Sequence, residues 1–208
     1  MREKIIVSDP YNSVPSEKTL EFRLTYSGLL LGSSRTDTRS QHKHDIRRVF
    51  HDQLMVLWQV SPNLREWELS SPQGQRVKTP IALASWLILN GVGYVPLSWK
   101  GLGVACKLDI LMLRPEAPGQ TVISGGDIDN RLKTLFDALR MPLPGEIHEL
   151  PGEGREPFFC LLQDDSLVNN ISITTDLLLG PTNPNEVQLV ITVNLWIVMH
   201  TMTNVGIY

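Results

Sequence analysis

Acidic and basic side chains concentrate at the start of one predicted helix. Asp127 and Asp129 stand there, and Lys133 follows one helical turn later. A second acidic pair, Asp164 and Asp165, precedes a segment with the pattern of a strand. Carboxylates from separate elements repel one another, so a fold that gathers them usually does so to bind a divalent cation. The chemistry predicted by this arrangement is metal-assisted hydrolysis of a phosphodiester.

The same acids also have a purely structural interpretation. An aspartate at a helix N-terminus caps free amides, and Asp129, Lys133 and Asp137 have the spacing of a ladder of ion pairs. A cap requires a single acid, whereas this chain carries four aspartates at element boundaries. Because a sheet could bring those boundaries together, the excess of acids favours a metal site over capping alone.

The order and spacing of these residues resemble those of the RusA-type Holliday-junction resolvases. The pattern is Asp127-x-Asp129-Asn130-x-x-Lys133-x-x-x-Asp137-Ala138-Leu139, followed by Asp164-Asp165-Ser166-x-Val168. The likeness covers the layout from Ala105 to Leu195. Two acidic motifs in this order are more specific than any single acidic dipeptide.

The resemblance implies that Asp127, Asp129 and Asp165 bind Mg²⁺, with Mn²⁺ as a substitute, and that Lys133 is an essential cationic partner. It leaves Asp164 either as a further residue of the metal site, which orients a ligand, or as the cap of the turn. Hydrolysis would use a metal-activated water without a covalent intermediate. The family also implies branched DNA as the substrate and a homodimer, whose paired sites suit a junction with two-fold symmetry.

The best basic surface in the sequence lies near the start of an earlier predicted helix. The cluster consists of Lys43, which lies between two histidines, and of Arg47 and Arg48, which follow about one helical turn later. Together with Arg131 on the motif helix, they are expected to bind nucleic acid, with simple solvation as the alternative. The formal charge of −3 supports an alternative to the nuclease, a non-catalytic module that binds nucleic acid or protein and retains the RusA-like fold.

A long connection after the motif helix carries four glutamates and a histidine, which are Glu146, His148, Glu149, Glu153 and Glu156. These residues could be read as further metal ligands, but they lack the spacing of a ligand set. Connecting loops normally run over the protein surface. This connection is therefore expected to be a solvated acidic loop.

Hydrophobic spacing predicts the elements that must position these residues. Alternation predicts strands at Leu20 to Tyr26, Cys106 to Leu113, Leu167 to Thr174 and Val187 to Ile197. Helical spacing predicts a helix from Ile46 to Trp58 and the motif helix at 127 to 139, and the apolar run from Ile81 to Leu89 is assigned to a helix. The last two strands are expected to pair antiparallel across a short loop.

Length and composition are typical of one globular domain. The 208 residues are 42% hydrophobic and 20% charged, which suits an α+β domain that the resemblance narrows to a RusA-like mixed sheet with packed helices. Residues 1–18 are expected to be an arm and 19–208 the endonuclease domain. Cys106 and Cys160 lack metal-binding spacing, so buried reduced thiols and a cytoplasmic location are expected. No apolar run is long enough for a bilayer, so no membrane partner is expected.

Overall fold

Seven strands and three helices are formed by the residues that the computed structural model describes, 20–32, 37–65, 87–89, 92–116, 127–146 and 157–199. The strands are β1 Leu20–Leu29, β2 Leu87–Leu89, β3 Val92–Ser98, β4 Val104–Arg114, β5 Phe158–Leu162, β6 Val168–Leu177 and β7 Glu186–Ile197. The helices are α1 Asp37–Val60, α2 Pro62–Arg65 and α3 Asp127–Leu139. The expected arm at residues 1–18 lies outside the described residues. None of the described helices combines enough length with enough apolarity to cross a membrane.

A four-stranded sheet in the order β1-β7-β4-β6 is the main layer of the fold. It is mixed, because β4 pairs antiparallel with β7 and parallel with β6. Alternate side chains of the central strands, including Leu108, Ile110 and Ile191, are buried in one core with Phe50 of α1 and Leu135 of α3. The chain is thus a single α+β domain with helices packed on a mixed sheet, as predicted.

A second sheet of three strands, in the order β2-β3-β5, lies beside α1. The His51 ring of α1 stacks on Phe158 of β5 with ring centroids 4.3 Å apart. Its Nδ1 accepts a hydrogen bond from the Phe159 amide at 2.9 Å. Just after α3, the Met141 amide donates to the Leu162 carbonyl at 2.8 Å. The end of α3 therefore lies beside the end of β5.

Two expectations about the strands are wrong. β6 and β7 do not pair, because β4 lies between them and bonds to both. Most side chains of β6 are exposed, whereas β4 and β7 bury every second residue, so β6 suits the edge of the sheet. The helix assigned to the run from Ile81 is a strand at its described end, β2; residues 81–86 lie outside the described part.

The two cysteines have the environment that the sequence predicts. Cys106 and Cys160 are both buried and neither forms a disulfide. Burial raises the pKa of each thiol to about 12. Because the thiolate is the reactive form, both side chains behave as small apolar core residues at neutral pH.

Arg47 joins α1 to the C-terminal end of α3 through its buried side chain, which is 2% exposed. Its guanidinium donates to the Asp137 carbonyl at 2.6 Å and to the Arg140 carbonyl at 3.1 Å. The last carbonyls of a helix have no partner within the helix, and a cation there also complements the helix dipole. Arg47 thus caps α3 from a neighbouring helix.

Replacing Arg47 by Met should destabilise the protein strongly. The methionine keeps much of the packing volume but leaves the Asp137 and Arg140 carbonyls without this donor. Each unsatisfied buried carbonyl costs about 1–3 kcal/mol, so we expect a loss of about 2–6 kcal/mol in the free energy of unfolding. Urea denaturation followed by circular dichroism measures it. The matched control is Arg23→Met, which removes only an exposed pair with Glu21 at 3.2 Å and should cost little. Equal losses in the two variants would contradict the capping role.

Candidate functional site

A cleft of about 310 Å³ opens between α3 and the turn that precedes β6, and we call it the acidic cleft. Its lining consists of three carboxylates, one ammonium and two apolar side chains, which are Asp129, Asp137, Asp165, Lys133, Leu132 and Phe136. Residues from the two sequence motifs thus meet at one place. The arrangement combines oxygen donors with a cation, as phosphate chemistry requires.

Local structure explains how each motif reaches the acidic cleft. α3 begins at Asp127, and side chains four residues apart along a helix share one face, so Asp129 and Lys133 lie together. On the other side, Asp165 starts a single 3-10 turn, Asp165–Leu167. That turn follows β5, whose end is bonded to the end of α3. A tertiary contact therefore sets the position of Asp165 relative to α3.

Asp164 caps the 3-10 turn. Its Oδ1 accepts a hydrogen bond from the Ser166 amide at 3.0 Å, and hydrogen bonding to Ser166 holds the pKa of Asp164 below its ordinary value. Of the two roles that the sequence left open, capping is the one that this hydrogen bond supports. The carboxylate stabilises the turn on which Asp165 stands.

Three of the charged side chains in the acidic cleft have no partner among the residues that the structure describes. Asp129, Lys133 and Asp165 are exposed, and within the described part of the chain no hydrogen bond or ion pair engages their side chains. Two carboxylates and an ammonium in one cleft, none of them engaged by another described side chain, are available to a ligand. Asp127 begins α3, but its side chain lies outside the described part of the structure.

Asp137 lines the same cleft but is fully engaged inside the protein. Its Oδ2 lies 2.7 Å from Lys43 Nζ, and its Oδ1 lies 2.6 Å from Arg140 Nη2. Burial acts to raise the pKa of this carboxyl, but Lys43 and Arg140 together outweigh it and hold the pKa below its ordinary value. Asp137 is therefore a charged structural residue at the inner side of the cleft.

The oxygen donors that face the acidic cleft suit magnesium. The described residues contain no group of three or more His, Cys, Asp or Glu that could hold a metal ion. Mg²⁺ commonly binds through one or two carboxylates and keeps water and substrate phosphates as its other ligands. Asp129 and Asp165 supply such a pair of carboxylates, so the donor set fits a substrate-completed site rather than an enclosed one.

Two of the arginines that were expected to contact nucleic acid are buried. Arg47 is engaged by α3, and Arg131 is 4% exposed, with contacts to Glu116 at 3.2 Å and Asn185 at 3.3 Å. A guanidinium bonded inside the protein is desolvated and does not form part of a surface patch. The expectation of an exposed basic patch is therefore corrected for these two residues.

The other two residues that were expected to contact nucleic acid, Lys43 and Arg48, differ in their exposure to solvent. Lys43 is largely covered and bonded to Asp137. Arg48 remains partly exposed, with its guanidinium 3.7 Å from Asp45. Within the expected basic cluster at the start of α1, Arg48 therefore keeps the clearest access to solvent, while Lys43 and Arg47 serve the contact with α3.

Glu146 was expected to be a solvated loop residue, but its side chain is only 18% exposed. It pairs with Arg140 at 3.0 Å and approaches Lys43 at 3.6 Å and Arg47 at 3.8 Å. No spacing rule could have identified it, because two of its three cationic partners come from α1. The other acids of that connection lie outside the described residues.

Comparison of the chain with models of known protein families and with curated proteins gives no match.

Neutralising either of two aspartates of the same cleft should change stability by very different amounts. Asp165→Asn removes an exposed charge that no described residue pairs with, so the free energy of unfolding should change by no more than about 0.5 kcal/mol. Asp137→Asn removes the closer of the two carboxylates that the covered cations Lys43 and Arg140 share and leaves them paired with Glu146, so we expect a loss of about 3–5 kcal/mol. Urea denaturation at pH 7 measures both. Similar values for the two variants would contradict the assignment of one as structural and the other as free.

The pH dependence of stability provides a check on the same pair. Because folding lowers the pKa of Asp137, its contribution is fully present above the ordinary Asp pKa of about 3.9 and is lost as the pH falls through the lower folded value. The stability difference between the parent and Asp137→Asn should therefore shrink as the pH is lowered in this acid range.

Proposed function

We propose that this protein is a metal-dependent endonuclease that hydrolyses phosphodiester bonds in branched DNA such as Holliday junctions. One observation carries the proposal: Asp129 and Lys133 of α3 share a cleft with Asp165, which lies far along the chain, before β6. This is the juxtaposition that the resemblance to RusA-type resolvases implies. The absence of internal partners for these three side chains in the described chain supports a ligand-binding role.

The proposed roles follow from the chemistry of the side chains. Asp129 and Asp165 would hold Mg²⁺ or Mn²⁺, and the resemblance adds Asp127 as a third ligand. A cation bound there would polarise the phosphate and lower the pKa of a water molecule. Lys133 places an ammonium at the same cleft, where it would neutralise charge that develops on the phosphate oxygens.

The composition of the cleft bears on the nucleophile. Among its described lining residues there is no serine, threonine, cysteine or histidine. A side-chain hydroxyl or thiol, with a histidine to activate it, is therefore missing from the described lining. This favours water as the nucleophile, and with it a single displacement at phosphorus.

Charge limits how the protein would hold DNA. The formal net charge is −3, and Arg47 and Arg131 are engaged internally, so a broad electrostatic surface for DNA is not expected. Binding would depend on a few local cations and on the metal. The free cysteines suit the reducing cytoplasm, which we propose as the compartment.

The acidic net charge also supports a second candidate, a non-catalytic module that binds nucleic acid or protein. In that case Asp129 and Asp165 would hold no metal, and their charges would repel phosphate. Isothermal titration with Mn²⁺ separates the two candidates, because only the nuclease requires a metal site that is lost in Asp165→Asn.

Cleavage of a synthetic four-way junction tests the proposed enzyme directly. With Mg²⁺, Asp165→Asn should lose a ligand charge and Lys133→Ala a transition-state contact, and we expect each to cut at least about 100-fold more slowly than the parent. Fork, flap and linear duplex substrates in the same assay define the preferred structure.

The matched control for the cleavage assay is Asp109→Asn. Asp109 lies on the outer face of β4, between buried neighbours, and pairs with Lys107 at 3.0 Å. The same chemical change there should leave cleavage unaltered. A parent protein that cuts no substrate with Mg²⁺ or Mn²⁺, or an Asp165→Asn protein that cuts as well as the parent, would refute the proposal.

The proposed substrate also requires a particular assembly. A junction with two-fold symmetry must be cut in two strands, so we propose a homodimer. Light scattering at micromolar concentration should report about twice the chain mass of 23.4 kDa. A monomer, both alone and with junction DNA, would remove the support for paired incision and leave single-strand nicking.

A further inference from the structure

Three cations converge on one carboxylate beside the acidic cleft. Lys43, Arg47 and Arg140, which we call the cation cradle, surround the side chain of Glu146. Arg140 reaches both carboxylate oxygens, at 3.0 and 3.3 Å. Lys43 Nζ lies 3.6 Å from Oε1 and Arg47 Nη2 lies 3.8 Å from Oε2. A backbone amide, that of Leu143, completes the set by donating to Oε2 at 2.9 Å.

These donors are the ones that phosphate groups use in proteins. A guanidinium that presents two N–H groups to two oxygens, an ammonium and a backbone amide all bind phosphate through charge-assisted hydrogen bonds. Burial acts to lower the pKa of Arg140, but Glu146 and Asp137 outweigh it and raise the pKa, so the guanidinium stays charged. A phosphodiester carries one negative charge, as Glu146 does, and could replace it without changing the charge of the cluster.

The cation cradle adjoins the acidic cleft through a shared residue. Asp137 lines the cleft and also bonds to Lys43 and Arg140 of the cradle. Its single charge cannot balance three cations, so the cradle needs a further anion to approach neutrality. An anion held there would lie next to any phosphodiester in the cleft.

Glu146 stands on a turn that is exposed to solvent although its own side chain is mostly covered. Leu143, Pro144 and Gly145 are exposed, and Leu143 is 51% exposed. The turn closes with a hydrogen bond from the Glu146 amide to the Leu143 carbonyl at 3.0 Å, and Gly145 has φ of +91°, which favours glycine. Within residues 143–146 the one large apolar side chain, that of Leu143, is exposed, so movement of Glu146 would remove no side chain of these four residues from the core.

We propose that the cation cradle is a phosphate-binding site that Glu146 occupies as an internal mimic. A phosphate group of a nucleic-acid strand displaces the carboxylate and bonds to Lys43, Arg47 and Arg140. The inference rests on the proposed function for the identity of the strand, whereas the anion site itself stands on the geometry. In this arrangement Lys43 and Arg47, although covered in the structure, become accessible when the turn moves.

The experiment compares Glu146→Gln with the parent by fluorescence anisotropy on labelled four-way junction DNA in EDTA. Without a metal no cleavage is needed, so failure here is separable from failure of the proposed enzyme. We expect Glu146→Gln to bind at least about tenfold more tightly, because the internal competitor has lost its charge. Glu21→Gln makes the same change of net charge at an exposed pair with Arg23 and should bind within about twofold of the parent.

Two further arms assign the gain to the cradle. In Glu146→Gln combined with Lys43→Met the gain should disappear, and a gain that persists would overturn the site. Inorganic phosphate, at matched ionic strength, should raise the unfolding temperature of Glu146→Gln but not of the parent. Stabilisation by phosphate with no gain on DNA would overturn the assignment to a nucleic-acid strand.

A loss of folding in Glu146→Gln does not leave the question open. Glu146→Asp keeps the charge but draws the carboxylate back from the cradle, so it should fold and give a smaller gain of the same sign. If neither Glu146→Asp nor Glu146→Gln binds DNA or phosphate more tightly than the parent, the cradle is a structural ion cluster and the inference is wrong.

Discussion

The candidate site depends on the ion pairs that the Asp137 carboxylate forms. This carboxylate bonds to Lys43 of α1 at 2.7 Å and to Arg140 at the end of α3 at 2.6 Å. Arg47 adds the cap of the last turn of α3. The orientation of α3 about its own axis is thereby set from the inside. Because Asp129 and Lys133 lie on the same helix face as Asp137, fixing the position of Asp137 also fixes which side chains of α3 line the acidic cleft.

Joining two helices through buried charges carries a large desolvation free energy, because each ion loses its contact with water. Apolar residues of similar volume often give equal or greater stability, so a buried ion cluster is weak support for a purely stabilising purpose. Its value here lies in its specificity, since an ion pair admits fewer orientations than an apolar contact. The cluster also concentrates cations next to a cleft that carries uncommitted acids. A protein with a net charge of −3 could still bind DNA if the cations that contact phosphate are few and lie together beside the cleft.

The aspartates of α3 show how one helix face can serve two purposes. Asp137 is covered and paired, whereas Asp129, two turns earlier, is exposed and unpartnered in the described chain. Asp165 comes from another element and likewise has no partner in the described part of the chain. Holding such carboxylates near one another is unfavourable unless a cation joins them. The structure thus places one paired acid and two exposed acids in the lining of a single cleft.

Periodicity in the sequence identified the elements that have one buried face, namely β1, α1, β4, α3 and β7. It did not identify β2 or β3 as strands. β3 is buried along its whole length, so its sequence shows no alternation. Periodicity also missed the position of β6, since strand order depends on which edge a strand can occupy and not on its own pattern. Alternation describes a strand and its faces but not its neighbour.

The features of the candidate site also fall into two groups, those that local sequence sets and those that tertiary contacts set. The sequence by itself determined the residue types, Asp129 and Lys133 on one helix face and Asp165 before a strand, because these follow from local spacing. Only the tertiary structure decided that the motifs share a cleft, that Arg47 and Arg131 are buried, and that Glu146 lies among three cations. Those facts rest on contacts such as that from Arg47 to Arg140, which are 93 residues apart. No local pattern records which distant residue a side chain will meet.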